Sequence, residues 1–77
     1  MTGAIVKHSV TIRGHRTSYS LEPPFHAELE NIAALRGKPL AALVAEIDAA
    51  RPRGTNLSSA LRVFVLEEAK RSAGSRS

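Results

Sequence analysis

Apolar and polar positions alternate along the first part of the chain and change to a helical spacing after it. The stretch Ile5 to Leu21 is rich in β-branched and aromatic residues (Val6, Val10, Thr11, Ile12, Thr17, Tyr19), which predicts extended backbone, and Gly14 interrupts it where a bend, bulge or turn belongs. After the glycine, Thr17, Tyr19 and Leu21 share one parity and Arg16, Ser18 and Ser20 the other. Because side chains of a strand alternate between its faces, the first set is expected to be buried and the second exposed.

The period then becomes that of a helix. Glu22-Pro23-Pro24 ends the strand, since neither proline donates to a ladder and Pro24 suits the first turn of a helix. Phe25, Leu29, Ile32 and Ala33 form one apolar stripe up to about Arg36, with Glu28 and Glu30 near the helix start and Gly37 at the closing position. Pro39 opens a second helix with the stripe Leu40, Leu43, Val44 and Ile47, which Arg51-Pro52-Arg53-Gly54 breaks. Thr55 or Asn56 caps a third helix near 56–71, whose apolar face is Leu57, Leu61, Phe64, Val65 and Ala69. Residues 72–77 read as a small, polar, flexible tail.

Composition narrows the class. At 77 residues the chain is one domain at most, and so small a domain buries too little surface to hold a deep substrate pocket by itself, which makes oligomerisation expected. Only Tyr19, Phe25 and Phe64 supply large rings, so the core is expected to be aliphatic. With no cysteine, disulfide staples and thiolate metal sites are excluded, and a shared dimer core is the expected route to stability. No apolar run is long enough for a membrane span and no charged-then-apolar leader pattern opens the chain, so a cytoplasmic location is expected.

The net charge of +4 is unevenly placed. Residues 1–21 hold Lys7, Arg13 and Arg16 without any carboxylate, residues 22–50 are net acidic, and residues 51–77 are again basic. A basic segment free of carboxylates suits a polyanion, because neutralised phosphates release counterions.

Other chemistry is poorly represented. His8, His15 and His26 have no cysteine partner and no i, i+4 pairing, so neither metal nor cofactor is expected. The carboxylates Glu28, Glu30, Glu46, Asp48, Glu67 and Glu68 read as solvated helix faces, and Ser58 and Ser59 as helix N-terminal hydroxyls, which argues against an enzyme. Arg51 and Arg53 ahead of Gly54-Thr55-Asn56 read as a solubilised loop, with anion binding at the helix start as the alternative.

A lone strand ahead of a helix pair leaves both its edges unpaired, a liability resolved by pairing with the same strand of a second subunit. The resulting two-stranded ribbon fits the major groove. At this point Arg16-Thr17-Ser18-Tyr19-Ser20-Leu21-Glu22, Phe25…Leu29…Ile32 and Arg36-Gly37-Lys38-Pro39-Leu40 resemble the ribbon-helix-helix (Arc/MetJ-like) DNA-binding family over about residues 15–50. The stretch from Asn56 to Leu66 resembles the end of a longer bacterial subgroup with an extra C-terminal helix. The resemblance implies a mostly α fold with a short N-terminal strand, built as an intertwined homodimer with an intersubunit antiparallel ribbon. It makes Arg16, Ser18 and Ser20 the base-reading set. Lys38 with the amides of Leu40 and Ala41 becomes a phosphate anchor; Lys7 and Arg13, from the basic segment itself, are expected to add phosphate affinity. Thr17, Tyr19, Leu21, Phe25, Leu29, Ile32, Leu43, Val44 and Ile47 are the expected dimer core. Pro39 departs from the family, which often has Ser or Thr there, so the phosphate site leans on Lys38 and backbone alone.

The domain layout that follows is an extended arm or extra strand over 1–14, the ribbon-helix-helix domain over 15–71 and the tail. The expected function is a sequence-specific transcriptional repressor of double-stranded DNA. The alternative is a protein-interaction module, an antitoxin or adaptor, that offers Leu57, Leu61, Phe64 and Val65 to a partner. A binder of DNA or RNA by charge alone would show a steep salt dependence and no sequence preference.

Overall fold

The computed structural model describes residues 4–74. Strands β1 (Val6–Ile12) and β2 (His15–Leu21) lead into helices α1 (Pro23–Leu35), α2 (Leu40–Ala50) and α3 (Leu57–Gly74). The two strands form an antiparallel sheet with Ile12 opposite His15 and Val6 opposite Leu21. Arg13 and Gly14 alone connect them, at φ 50° and 80°. Two successive positive φ values are the signature of the type I′ turn, whose twist matches that of a hairpin.

This corrects the expectation that the base-reading strand has two free edges. β1 already covers one of them from within the same chain, so the ribbon of a single subunit is itself two-stranded. The description of the fold as having one short strand is enlarged accordingly; that it is mostly helical holds.

The helices begin and end where their local chemistry dictates. α1 starts at Pro23 with Pro24 in its first turn as expected, but Glu28 and Glu30 lie beyond that turn and do not meet the helix N-terminal dipole. It ends in a Schellman motif: the Lys38 amide donates to the Ala33 carbonyl and the Gly37 amide to Ala34, with Gly37 at φ 67°. Pro39 is the N-cap residue of α2 and supplies no side-chain cap. At α3 the Asn56 Oδ1 accepts the Ser59 amide at 2.8 Å. α3 continues past residue 71 to Gly74, so Ser72 and Ala73 are helical and not tail; residues 75–77 of that tail, and 1–3 of the arm, lie outside the described residues.

One core joins all five elements. Ile12, Tyr19 and Leu21 of the hairpin pack with Leu29, Ile32 and Ala33 of α1, Leu43 and Val44 of α2, and Leu57, Leu61 and Val65 of α3. Val10, Phe25, Leu40, Ile47 and Phe64 are partly buried around it. The third helix is therefore an internal wall. Leu57, Leu61 and Val65 are buried, and this corrects the suggestion that they are offered to a partner protein; of that set only Phe64 remains partly open.

Candidate nucleic-acid interface

Cross-strand partners in an antiparallel pair share a face. The register therefore places Lys7 with Ser20, Ser9 with Ser18 and Thr11 with Arg16 on one face of the hairpin. The opposite face carries Val6 with Leu21, His8 with Tyr19, Val10 with Thr17 and Ile12 with His15. The first face points away from the core: Lys7, Ser9, Thr11, Arg16 and Ser18 are exposed and Ser20 is half-buried. It carries two cations and four hydroxyls and no carboxylate. Lys7, Ser9, Arg16 and Ser18 border a shallow concavity there.

Of the residues expected to read bases, Arg16 and Ser18 thus stand free on this face and Ser20 stands at its end, beside α3. Thr17, Tyr19 and Leu21 occupy the inner parity as their pattern predicts, with Tyr19 and Leu21 buried and Thr17 half-buried. The sequence reading named Lys7 for its charge but missed Ser9 and Thr11, which with Lys7 make an alternating row equivalent to that of β2. Their own period-two pattern across a two-residue turn ending in glycine was the available signal.

Two contacts from α3 fix the end of β2. The Ser58 Oγ accepts the Ser20 amide at 2.8 Å, and the Arg62 Nε donates to the Glu22 Oε1 at 3.0 Å. Ser58 and Arg62 are four residues apart on one side of α3. The Glu22 carboxyl is held below its ordinary range, first by a backbone hydrogen bond and then by Arg62. Ser58 is not the helix cap, a role Asn56 fills, so its hydroxyl is free for the strand.

The inner face holds a ring cluster at the base of the ribbon. His8 and His26 stack with centroids 3.7 Å apart, and the Tyr19 hydroxyl lies 3.0 Å from His26 Nε2. On the other side of the ring, His26 Nδ1 lies 3.8 Å from Glu30 Oε2. Burial, then the neighbouring His8, push the His26 pKa down against the pull of Glu30; burial and Glu30 raise that of Tyr19. Among the described residues no group of three or more His, Asp or Glu is arranged to hold a metal.

The expected phosphate groups are dispersed. Lys7 lies on the hairpin's polar face and Arg13 at its tip. Lys38 is paired with Glu46, whose carboxylate offsets its charge. Leu40 and Ala41 are the first two residues of α2, where amides have no acceptor within the helix. Arg51 bonds Asp48 at 2.8 Å and the Thr55 carbonyl, which ties down the loop before α3.

A ribbon followed by packed helices, with a basic hydroxyl-bearing outer face, defines a small β-ribbon module of the kind that regulatory DNA-binding folds use. The sequence profile of the ribbon-helix-helix domain matches residues 5–69, and the chain belongs to that family, which is not an enzyme family. No curated protein and no solved structure matches the chain. Among the described residues no helix is long and apolar enough to cross a membrane.

Proposed function

We propose that this protein is a homodimeric, sequence-specific regulator that reads the major groove of double-stranded DNA with Arg16, Ser18 and Ser20, acting as a repressor in the cytoplasm. The observation that carries the reading is the polar face of the hairpin: six positions in register, two of them cationic, none acidic. Arg16 supplies a fork able to bond guanine O6 and N7, and the serine hydroxyls donate or accept as the base edge requires.

Groove geometry divides the work between the strands. The major groove is about 12 Å wide, room for two strands spaced by about 4.8 Å. In a dimer joined through β2, the two β2 strands take the floor, and the flanking β1 strands meet its rims. Lys7 then faces phosphate, in keeping with an electrostatic role. Lys38, Leu40 and Ala41 add a second phosphate contact once Glu46 yields the lysine. The dimer core draws on Thr17, Phe25 and Ile47, each left half-covered in one subunit, around the buried Tyr19, Leu21, Leu29, Ile32, Leu43 and Val44.

Selection of double-stranded DNA from a random pool, repeated over a salt series with scrambled competitor, tests the reading. The expected result is an inverted repeat bound by two protomers. Arg16→Ala is expected to cost on the order of 1–3 kcal/mol at one base position and relax preference there. A variant that discriminates as the parent does sinks the assignment. If no motif is enriched, the open trough of about 460 Å³ lined in part by Leu43, Ile47, Val63 and Phe64 becomes the place to seek a protein partner, the antitoxin or adaptor reading.

A further inference from the structure

The hairpin register determines which backbone groups of β2 face outward. A two-residue turn makes Ile12 and His15 a hydrogen-bonded pair, and the pairs alternate from there. Thr17, Tyr19 and Leu21 therefore bond to β1, while the amides and carbonyls of Arg16, Ser18 and Ser20 point to the outer edge. The Ser20 amide confirms the parity, since it reaches out to Ser58 rather than across to Lys7. Among the described residues Ser20 is the only one of the three whose outward amide has a partner.

We infer that Ser58 closes the β2 edge at Ser20 and so sets the register in which a second copy of this chain pairs, on a two-fold axis at Thr17. This rests on the dimeric reading above and adds the choice of register to it. Symmetry restricts the options. An outward residue bonds only to an outward residue, so the axis falls on Arg16, Thr17 or Ser18, with half-step registers excluded.

Each alternative meets an obstacle. An axis at Arg16 puts two guanidinium groups directly opposite each other and sets Ser18 against the partner turn at Gly14. An axis at Ser18 pairs Arg16 with Ser20, whose amide the Ser58 hydroxyl already occupies. With the axis at Thr17, Arg16 and Ser18 exchange both hydrogen bonds with Ser18 and Arg16 of the second copy. Paired residues then run from His15 to Tyr19, and the partner strand ends at its Gly14, where Ser58 begins to cover the edge. The two arginines are staggered along the sheet, each beside a serine.

The chain contains no cysteine, so single substitutions give a clean readout. Residues directly opposite across the axis have Cα atoms about 4.5 Å apart when not hydrogen-bonded, within disulfide range, whereas an offset of two residues leaves about 7–8 Å. Thr17→Cys and Ser18→Cys are each oxidised with diamide, without DNA, and the linked dimer is followed on non-reducing gels. Thr17→Cys is expected to link at least tenfold faster than Ser18→Cys. In a Ser58→Ala background the Ser20 amide is released, its hydrogen exchange quickens, and Ser18→Cys linkage rises; Ser58→Thr restores the original order. Preferential linkage at Ser18 with Ser58 intact overturns the inference, as does a protein that sedimentation shows to be monomeric, or a dimer that links at neither position. A dimer linked at Thr17 that selects no DNA sequence leaves the register standing and removes the DNA-reading proposal instead.

Discussion

Single side chains at the base of the ribbon carry a pH dependence. The His26 ring is packed against His8 and bonded to Tyr19, and its pKa lies below that of an exposed histidine near 6.5. A proton therefore binds the unfolded chain more readily than the native one, and stability is full above about pH 6.5 and declines as pH falls from there through the native pKa. Urea unfolding midpoints are expected to drop between pH 7.5 and 5.5, and His26→Gln to flatten that part of the profile. The Glu22 pKa is also depressed, but from the carboxylate range, so its contribution fades only in more acidic solution. At the tip of the hairpin, Gly14 sits at φ 80° with open space around its missing Cβ. Gly14→Ala meets no clash, so its expected cost of about 1–2 kcal/mol is purely the left-handed backbone penalty, readable as a thermal shift.

At the level of elements, much of the architecture was legible before any coordinates. The apolar stripe of α1, the Gly37 stop, the proline ahead of α2 and the Asn56 cap of α3 are local signals, and local physics decided them. Strand pairing is a different kind of event. Whether β2 bonds to β1 or to another subunit depends on a turn and on competition between surfaces; Gly14 marked a turn, but Arg13 beside it, at φ 50°, is not among the residues that usually signal a two-residue hairpin. The role of α3 was hidden for a related reason: its stripe reads equally well as a binding face and as a core wall. Since Leu61 is fully buried, Leu61→Ala is expected to cost about 2–5 kcal/mol, measured by denaturant titration, and truncation after Arg53 to leave an unfolded chain. A truncated chain that remains folded would return α3 to the surface.

Across the whole molecule, the candidate interface was half legible. The alternation of Arg16, Ser18 and Ser20 marked a face, and β2 does present Arg16 and Ser18 outward. What no local pattern showed is that α3 reaches back across 38 residues to bond Ser20 and 40 to pair Arg62 with Glu22. Such contacts depend on where three helices have already packed. The same long reach ties the third helix to β2, so α3 and the ribbon are expected to unfold as one unit.

That separation in sequence also orders events in time. The hairpin closes over at most 15 residues between Val6 and Leu21, a microsecond process, whereas the Ser58 contact awaits a loop more than twice as long and the docking of a whole helix. During that interval the edge of β2 is uncovered as far as Ser20, and any second chain that arrives meets a longer template than the finished protein offers. Refolding by rapid dilution of denaturant is accordingly expected to trap offset pairs at high protein concentration, seen as a slow, concentration-dependent phase. Refolding at low concentration, where α3 docks before chains collide, should lack it.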